Sequence, residues 1–413
     1  MTHSCDQSET VLLSLSHALE RIDAFIQSVE GVEQINLSAA TGRILAETIT
    51  APLDTPPARV SAMDGYAISS NDIKPEGFSL IQAGTSWAGR PFEKPLAAGQ
   101  CVRIFTGAIV PEQADSIIIQ EQVTKTDSTV QFPVNCMAGQ YIRDKGSDIK
   151  KGQILLPANK KLSPIDCALL ASVGIRSFKV KRKINIAFFS TGDEIKSPGQ
   201  CLQPGQIYNS NRYALAGFLQ DSRFSITDMG IVADDKSLLK QTLLSTTEKY
   251  DVIITTGGAS VGDADYMAEI LAESGQVNFW KLAIKPGKPL AFGNINSSLY
   301  FGLPGNPVSS IVTFQKIVSP ALDKLSGSEI KQPLQLQAVC QSDIKKIPGR
   351  QEFQRGLLVQ HGPGNLSVSQ AGGQDSHHLN ALSQANCYIV LPADCRGVKK
   401  GETVIVEPFS AFL

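Results

Sequence analysis

The stretch from Tyr250 to Tyr266 constrains this chain most. An apolar run, Asp251-Val252-Ile253-Ile254-Thr255, breaks into Thr256-Gly257-Gly258-Ala259-Ser260-Val261-Gly262-Asp263-Ala264-Asp265. A buried strand that ends in small residues and then two carboxylates lets backbone amides and a cation approach a phosphate. The segment points to an enzyme acting on a phosphate ester or anhydride.

Its surroundings supply the rest of such a fold. Strand candidates Ile184 to Phe189, Ile226 to Val232, Asp251 to Thr255 and Leu299 to Leu303 alternate with helices near Arg212 to Gln220, Ser237 to Leu244, Tyr266 to Ala272 and Pro307 to Leu325. That alternation builds a parallel, doubly wound sheet. Asn306 is placed to cap the last helix, Pro307 fits its first turn, and Pro320 predicts a kink. In an open parallel sheet the ligand crevice lies beyond the carboxyl ends of the strands. At that edge stand Ser190-Thr191-Gly192-Asp193-Glu194, Asp234-Asp235, Thr256 to Asp265, and Pro304-Gly305-Asn306-Pro307. Any one of these loops reads as a turn or a cap, but four on one edge read as a site.

The other textures differ. Residues 11 to 29 carry apolar side chains at helical spacing, an amphipathic helix made for packing. From about 50 to 150, short apolar runs cut by Pro and Gly predict a β-rich module, followed by a helix from Ser163 to Val173. After Gly327, alternating runs such as Leu334 to Val339 and Thr403 to Val406 predict a separate β-barrel or sandwich. The expected units are residues 1–48 with 150–181 as a small α/β connecting and dimerisation domain, 49–149 as the inserted β module, 182–328 as the doubly wound domain, and 329–413 as the C-terminal barrel. A length of 413 residues agrees with several cores rather than one.

Composition excludes some functions. A formal charge of -1 gives no basic face for nucleic acid. The N-terminus lacks a basic region before an apolar core, and no apolar run is long enough to cross a bilayer, so the expected location is the cytoplasm. Eight scattered cysteines show no C-x-x-C pair and read as reduced. His377-His378 would point opposite ways on a strand, which favours solvated or turn histidines over a metal site. Neither a Walker loop nor a strand-linked G-x-G-x-x-G occurs. Cations come from Lys281, Lys285 and Lys288, the last two flanking Pro286-Gly287; if the segment is extended, Lys281 and Lys285 share a face.

Six motifs in order, Ser61-Ala62-Met63-Asp64-Gly65-Tyr66-Ala67, Arg103-Ile104-Phe105-Thr106-Gly107-Ala108, Ser190 to Glu194, the Gly-Gly loop, Lys281 to Pro289 and Gly302 to Ser309, span most of the chain. On them the sequence resembles the molybdopterin molybdenumtransferases, the MoeA and gephyrin E-domain family. The resemblance implies a Mg²⁺-dependent exchange in which molybdate attacks adenylylated molybdopterin and AMP leaves. It also implies an elongated homodimer, each cleft shared between the doubly wound domain of one subunit and the β module of the other. Transient contact with the adenylyltransferase and other proteins of the pathway follows from the same resemblance.

Carried over by motif, Asp263 and Asp265, with Glu194, hold Mg²⁺ or order the pterin phosphate. Gly257, Gly258 and Ser260 present donors; Pro304, Gly305 and Asn306 bind substrate; Lys281, Lys285 and Lys288 offset charge. Glu194 and Asp234 match functional carboxylates, Asp64, Thr106 and Asp148 reach across the dimer, and Arg355 with Ser376 belongs to the oxyanion side. Molybdate against a phosphate costs about 4 kcal/mol per pair of unit charges at 4 Å and an effective dielectric near 20, which explains the cations. The chain departs from the family pattern at Ala58-Arg59-Val60, at Ser147, and at Asp375, whose carboxylate beside Ser376 repels an oxyanion. Two other readings stay open: adenylyl transfer from ATP, as in siblings that share the doubly wound domain, and a non-catalytic scaffold.

Overall fold

The computed structural model describes residues 12–257, 266–330 and 332–409. The doubly wound sheet has six strands in the spatial order Phe224–Val232, Ile184–Thr191, Val252–Thr256, Ser298–Leu303, Pro289–Ile295 and Gly275–Lys281. The first four are parallel. The last two are antiparallel additions that the alternation of strand and helix does not announce. Asn296, at φ +50, turns Pro289–Ile295 back onto Ser298–Leu303 within a few residues. Each central strand sends alternate side chains to two cores: Phe188, Ile254 and Phe301 to one face, Phe189, Ile253 and Tyr300 to the other. Each such full burial stabilises by about 1.5–3 kcal/mol.

The N-terminal helix is shorter than its periodicity suggests, Leu15–Phe25, because Ser14 caps it and Ile26 turns extended. It packs on the doubly wound core through Ala18, Ile22 and Ile26, with Phe25 edge-on to Phe292 at 5.3 Å. The strands Val32–Asn36 and Ser177–Lys181 pair beside the helix Pro164–Ser172, around Ala40, Leu45, Leu162, Leu170 and Phe178. That helix begins with a full capping box, in which Ser163 and Asp166 each bind the other's backbone N–H. Ser163→Ala is expected to lower stability by about 1 kcal/mol, read as a shift of the urea midpoint.

The β module is a six-stranded sheet in the order Ser116–Ile119, Gly65–Ile68, Gln100–Ile104, Phe78–Ser86, Thr129–Phe132 and Thr124–Thr126. The C-terminal strands Gln351–Gly362, Asn365–Gln370, Leu336–Cys340, Thr403–Pro408 and Cys387–Leu391 close into a barrel, since the last pairs back on the first. The barrel is fastened to the doubly wound domain at several points. Ile284–Lys285 adds as a parallel strand to Gln351–Glu352, Lys316 pairs with Glu407, and the Tyr388 hydroxyl donates to Gln315 Oε1 at 2.6 Å.

Pro307 to Leu325 is helical throughout, but Phe314–Val318 is a π turn between two α segments. Pro320 lies in the first turn of the second segment, directly after the π turn, so the regular α-helical ladder is interrupted where the proline lacks its N–H. No helix among the described residues is long and apolar enough to cross a membrane.

Candidate functional site

Because four neighbouring strands run parallel, their carboxyl ends meet at one edge, and hydrogen bonds join the loops that leave them. The Thr191 hydroxyl donates to Asp234 Oδ1, and the Asp234 N–H donates to Asp193 Oδ1 at 3.2 Å. Gly257 N–H reaches Leu303 O at 3.1 Å, and Thr256 Oγ1 donates to Ser190 Oγ at 2.8 Å. Gly257 has φ +93, and a Cβ there would lie 2.6 Å from Thr191 O, so only glycine lets these two loops touch. Glu194 is exposed at the same edge, its carbonyl bound by Ile207 N–H at 2.9 Å. Gly258, Ser260, Asp263 and Asp265 lie outside the described residues.

Asn306 occupies the cap position, yet its side chain makes no capping bond. The reason comes from the barrel: Ser376 O takes the Val308 N–H at 3.1 Å, one of the amides a capping side chain would bind. Gly305 and Asn306 are exposed and Pro304 is buried. Asn211 was not among the residues expected here. It is buried, its amide donates to Gly305 O at 2.7 Å, and its Oδ1 has no partner among the described residues. The Asn209-Ser-Asn211 sequence before a helix was the available signal, since Asn209 caps that helix.

The lysines are not arranged as one extended segment. Lys281 ends the Gly275–Lys281 strand, and the chain then leaves the sheet. Lys285 sits on the barrel edge, 3.7 Å from the Glu352 carboxylate, and Lys288 is exposed. Between Lys281 and Lys285, the Leu282 N–H bonds Lys288 O at 2.6 Å and the Ala283 N–H bonds Leu13 O at 2.7 Å, with Leu282 and Ile284 buried.

In the β module, Thr106 donates both its N–H, at 2.7 Å, and its hydroxyl, at 2.8 Å, to Asp64 Oδ1. That amide, then the hydroxyl, and more distantly Arg103, hold the Asp64 carboxyl below the usual aspartate range. Asp148 is exposed, its N–H bound to Thr55 O at 3.0 Å. Arg59 is engaged within its own module, donating to Glu112 O at 3.1 Å. No hydrogen bond or ion pair among the described residues joins Asp64 and Thr106 to the strand-end carboxylates.

On the barrel, Arg355 is fully buried and its Nη2 donates to Gly373 O at 2.9 Å and Asp375 O at 3.1 Å. Its Nε is buried without a partner among the described residues, and burial pulls the guanidinium below its ordinary value. Gln374 closes the same loop on the Arg355 backbone, accepting its N–H at 2.8 Å. Ser376 is thus held between Arg355 and the start of the Pro307–Thr313 helix. The histidine pair lies in a turn, not on a strand. His378 N–H binds Asp375 O at 3.2 Å, and the two rings lie 4.1 Å apart instead of pointing opposite ways.

Comparison with known proteins decides the family. Residues 13–174 match the MoeA N-terminal region (domain I and II), 187–324 a probable molybdopterin binding domain, and 337–409 the MoeA C-terminal region (domain IV). A molybdopterin molybdenumtransferase of Haemophilus influenzae is 40% identical over 97% of this chain and 100% of its own length. The chain belongs to the molybdopterin molybdenumtransferase family. It is an enzyme of molybdenum cofactor biosynthesis. Gephyrin of Dictyostelium discoideum is 35% identical over 90% of this chain and 59% of its own. Among solved structures, the molybdopterin biosynthesis MoeA protein of Pyrococcus horikoshii superposes with a TM-score of 0.79 at 31% identity, covering 97% of this chain and 100% of that one. In this family setting the strand-end loops and the Arg355 loop form two sides of one junction, joined by the bond from Val308 to Ser376.

Proposed function

We propose that this molybdopterin molybdenumtransferase inserts molybdate into adenylylated molybdopterin with release of AMP, at the junction of the parallel strand ends and the barrel loop. The observation that carries this reading is the convergence of Asp193, Asp234, Gly257 and Gly305 on one edge, with Ser376 hydrogen-bonded to the adjoining helix. The exposed carboxylates Glu194 and Asp234 are hard oxygen donors of the kind Mg²⁺ takes, together with Asp263 and Asp265 outside the described residues. Bound there, Mg²⁺ would supply charge neutralisation at the anhydride.

The chain's own residues do the remaining work. Asn306 is released from capping and exposed, so its amide is available to a phosphate oxygen, while Gly257 brings the second loop within reach. Lys281, Lys285 and Lys288 lower the cost of bringing two anions together. Ser376 and Arg355 receive the oxyanion, and the Arg355 Nε, buried and without a partner among the described residues, is a donor suited to that task.

Asp64, Thr106 and Asp148 enter the cleft from a second copy, in a cytoplasmic homodimer. Light scattering is expected to give a mass near twice 44.3 kDa; a monomer at micromolar concentration counts against the shared cleft. Contact with the preceding adenylyltransferase follows if the unstable intermediate is handed over directly. The direct test is AMP release from adenylylated molybdopterin with molybdate and Mg²⁺ both present. Absence of release under those conditions refutes the reading, and product formed from ATP supports adenylyl transfer instead.

A further inference from the structure

The departure at Asp375 has neighbours that change its meaning. Among the described residues, one group of three potential ligands converges: Asp375, His377 and His378, each offering an atom within 4.8 Å of the others. We infer that these three side chains bind one divalent transition metal of the Zn²⁺ class, which cancels the Asp375 carboxylate next to Ser376.

Two imidazoles and a carboxylate are a donor set suited to Zn²⁺ or Co²⁺ and a poor one for Mg²⁺, which prefers oxygen throughout. Ligand atoms around tetrahedral zinc lie roughly 3.3 Å apart. Asp375 and His377 are exposed, so modest side-chain rotation closes the remaining distance.

The loop that carries them is rigid where rigidity matters. Arg355 holds the carbonyls of Gly373 and Asp375, Gln374 is bonded to the Arg355 backbone, and Val308 holds Ser376. The His378 ring rests where a Cβ at position 373 would lie, 2.2 Å from its Nδ1, so Gly373 is required for this placement. That Nδ1 is buried and has no hydrogen-bond partner among the described residues. A ligand position is left for water or for an oxygen of a bound oxyanion. The effect on oxyanion binding rests on the function proposed above, whereas metal binding does not.

Full-length protein without an affinity tag is titrated with Zn²⁺ by calorimetry and with Co²⁺ by visible absorption. One site per chain is expected, with the absorption of a low-coordinate cobalt centre. Asp375→Asn and His378→Gln should each weaken binding by more than about 100-fold, since even residues that only support ligands cost 10–100-fold. His3→Gln and His17→Gln should leave it unchanged. Circular dichroism establishes that the variants are folded. No stoichiometric binding, or binding indifferent to Asp375 and His378, overturns the site.

Molybdate retention, measured by equilibrium dialysis, should rise several-fold with Zn²⁺ in the parent protein. In Asp375→Asn it should be high with or without metal. Equal retention in all cases overturns the charge-cancelling role. If AMP release fails throughout while metal binding still depends on Asp375 and His378, the proposed reaction fails and the metal site stands.

Discussion

Asp64→Asn is expected to reduce AMP release about 10²-fold or more while changing stability by less than about 1 kcal/mol. Asparagine keeps the oxygen that accepts both the Thr106 N–H and the Thr106 hydroxyl, so the turn between the two strands is preserved and only the charge is lost. A loss of this size is what removing a charged participant from a reacting site costs. Asp64→Ala should lose as much activity and, in addition, about 1–2 kcal/mol of stability as the two bonds disappear. If Asp64→Asn is fully active, the carboxylate has a structural role only.

The pH dependence of stability gives a second readout. Folding lowers the Asp64 pKa, so its contribution is present above the ordinary aspartate value of about 3.9 and is lost as the pH falls through the lower folded value. The stability difference between the parent and Asp64→Ala should therefore shrink below about pH 4. Urea unfolding at neutral and acid pH measures it.

Arg355→Ala is expected to be the more damaging change to the fold, at about 3–5 kcal/mol. It empties the volume of a fully buried side chain and leaves the carbonyls of Gly373 and Asp375 without their shared donor. Arg355→Lys recovers only part of this, because an ammonium on a flexible stem does not reproduce the planar fork. Differential scanning calorimetry reads the loss.

A stability defect alone would not establish an oxyanion role. Ser376→Ala separates the two, because the loop uses only the Ser376 backbone carbonyl, which accepts from Val308. That variant should melt like the parent and raise the KM for molybdate about tenfold. An unchanged KM would remove Ser376 from the site.

Much of the fold was legible in the sequence because periodicity reports burial. The central strands and the helix starting at Pro164 were each announced by apolar spacing or by caps. Where burial is shared between units, the reading failed in detail. The edge strands Gly275–Lys281 and Pro289–Ile295 pair antiparallel, the second turning at Asn296 onto Ser298–Leu303, and the N-terminal helix packs on the doubly wound core. In the site, Asn211 was missed because its amide serves a loop 94 residues away in sequence, and a local pattern carries no trace of such a bond.

Sequence by itself determined the family motifs, the alternating architecture and the glycine and carboxylate chemistry at the strand ends, because each depends on residues close together in the chain. Only the tertiary structure decided that the Ser376 carbonyl, from the barrel, takes the amide Asn306 would have capped. It likewise decided that Asp375, His377 and His378 meet in one turn. The first outcome depends on how two units pack, the second on a turn held by Arg355 from a neighbouring strand of the same barrel, and neither leaves a trace in local apolar spacing.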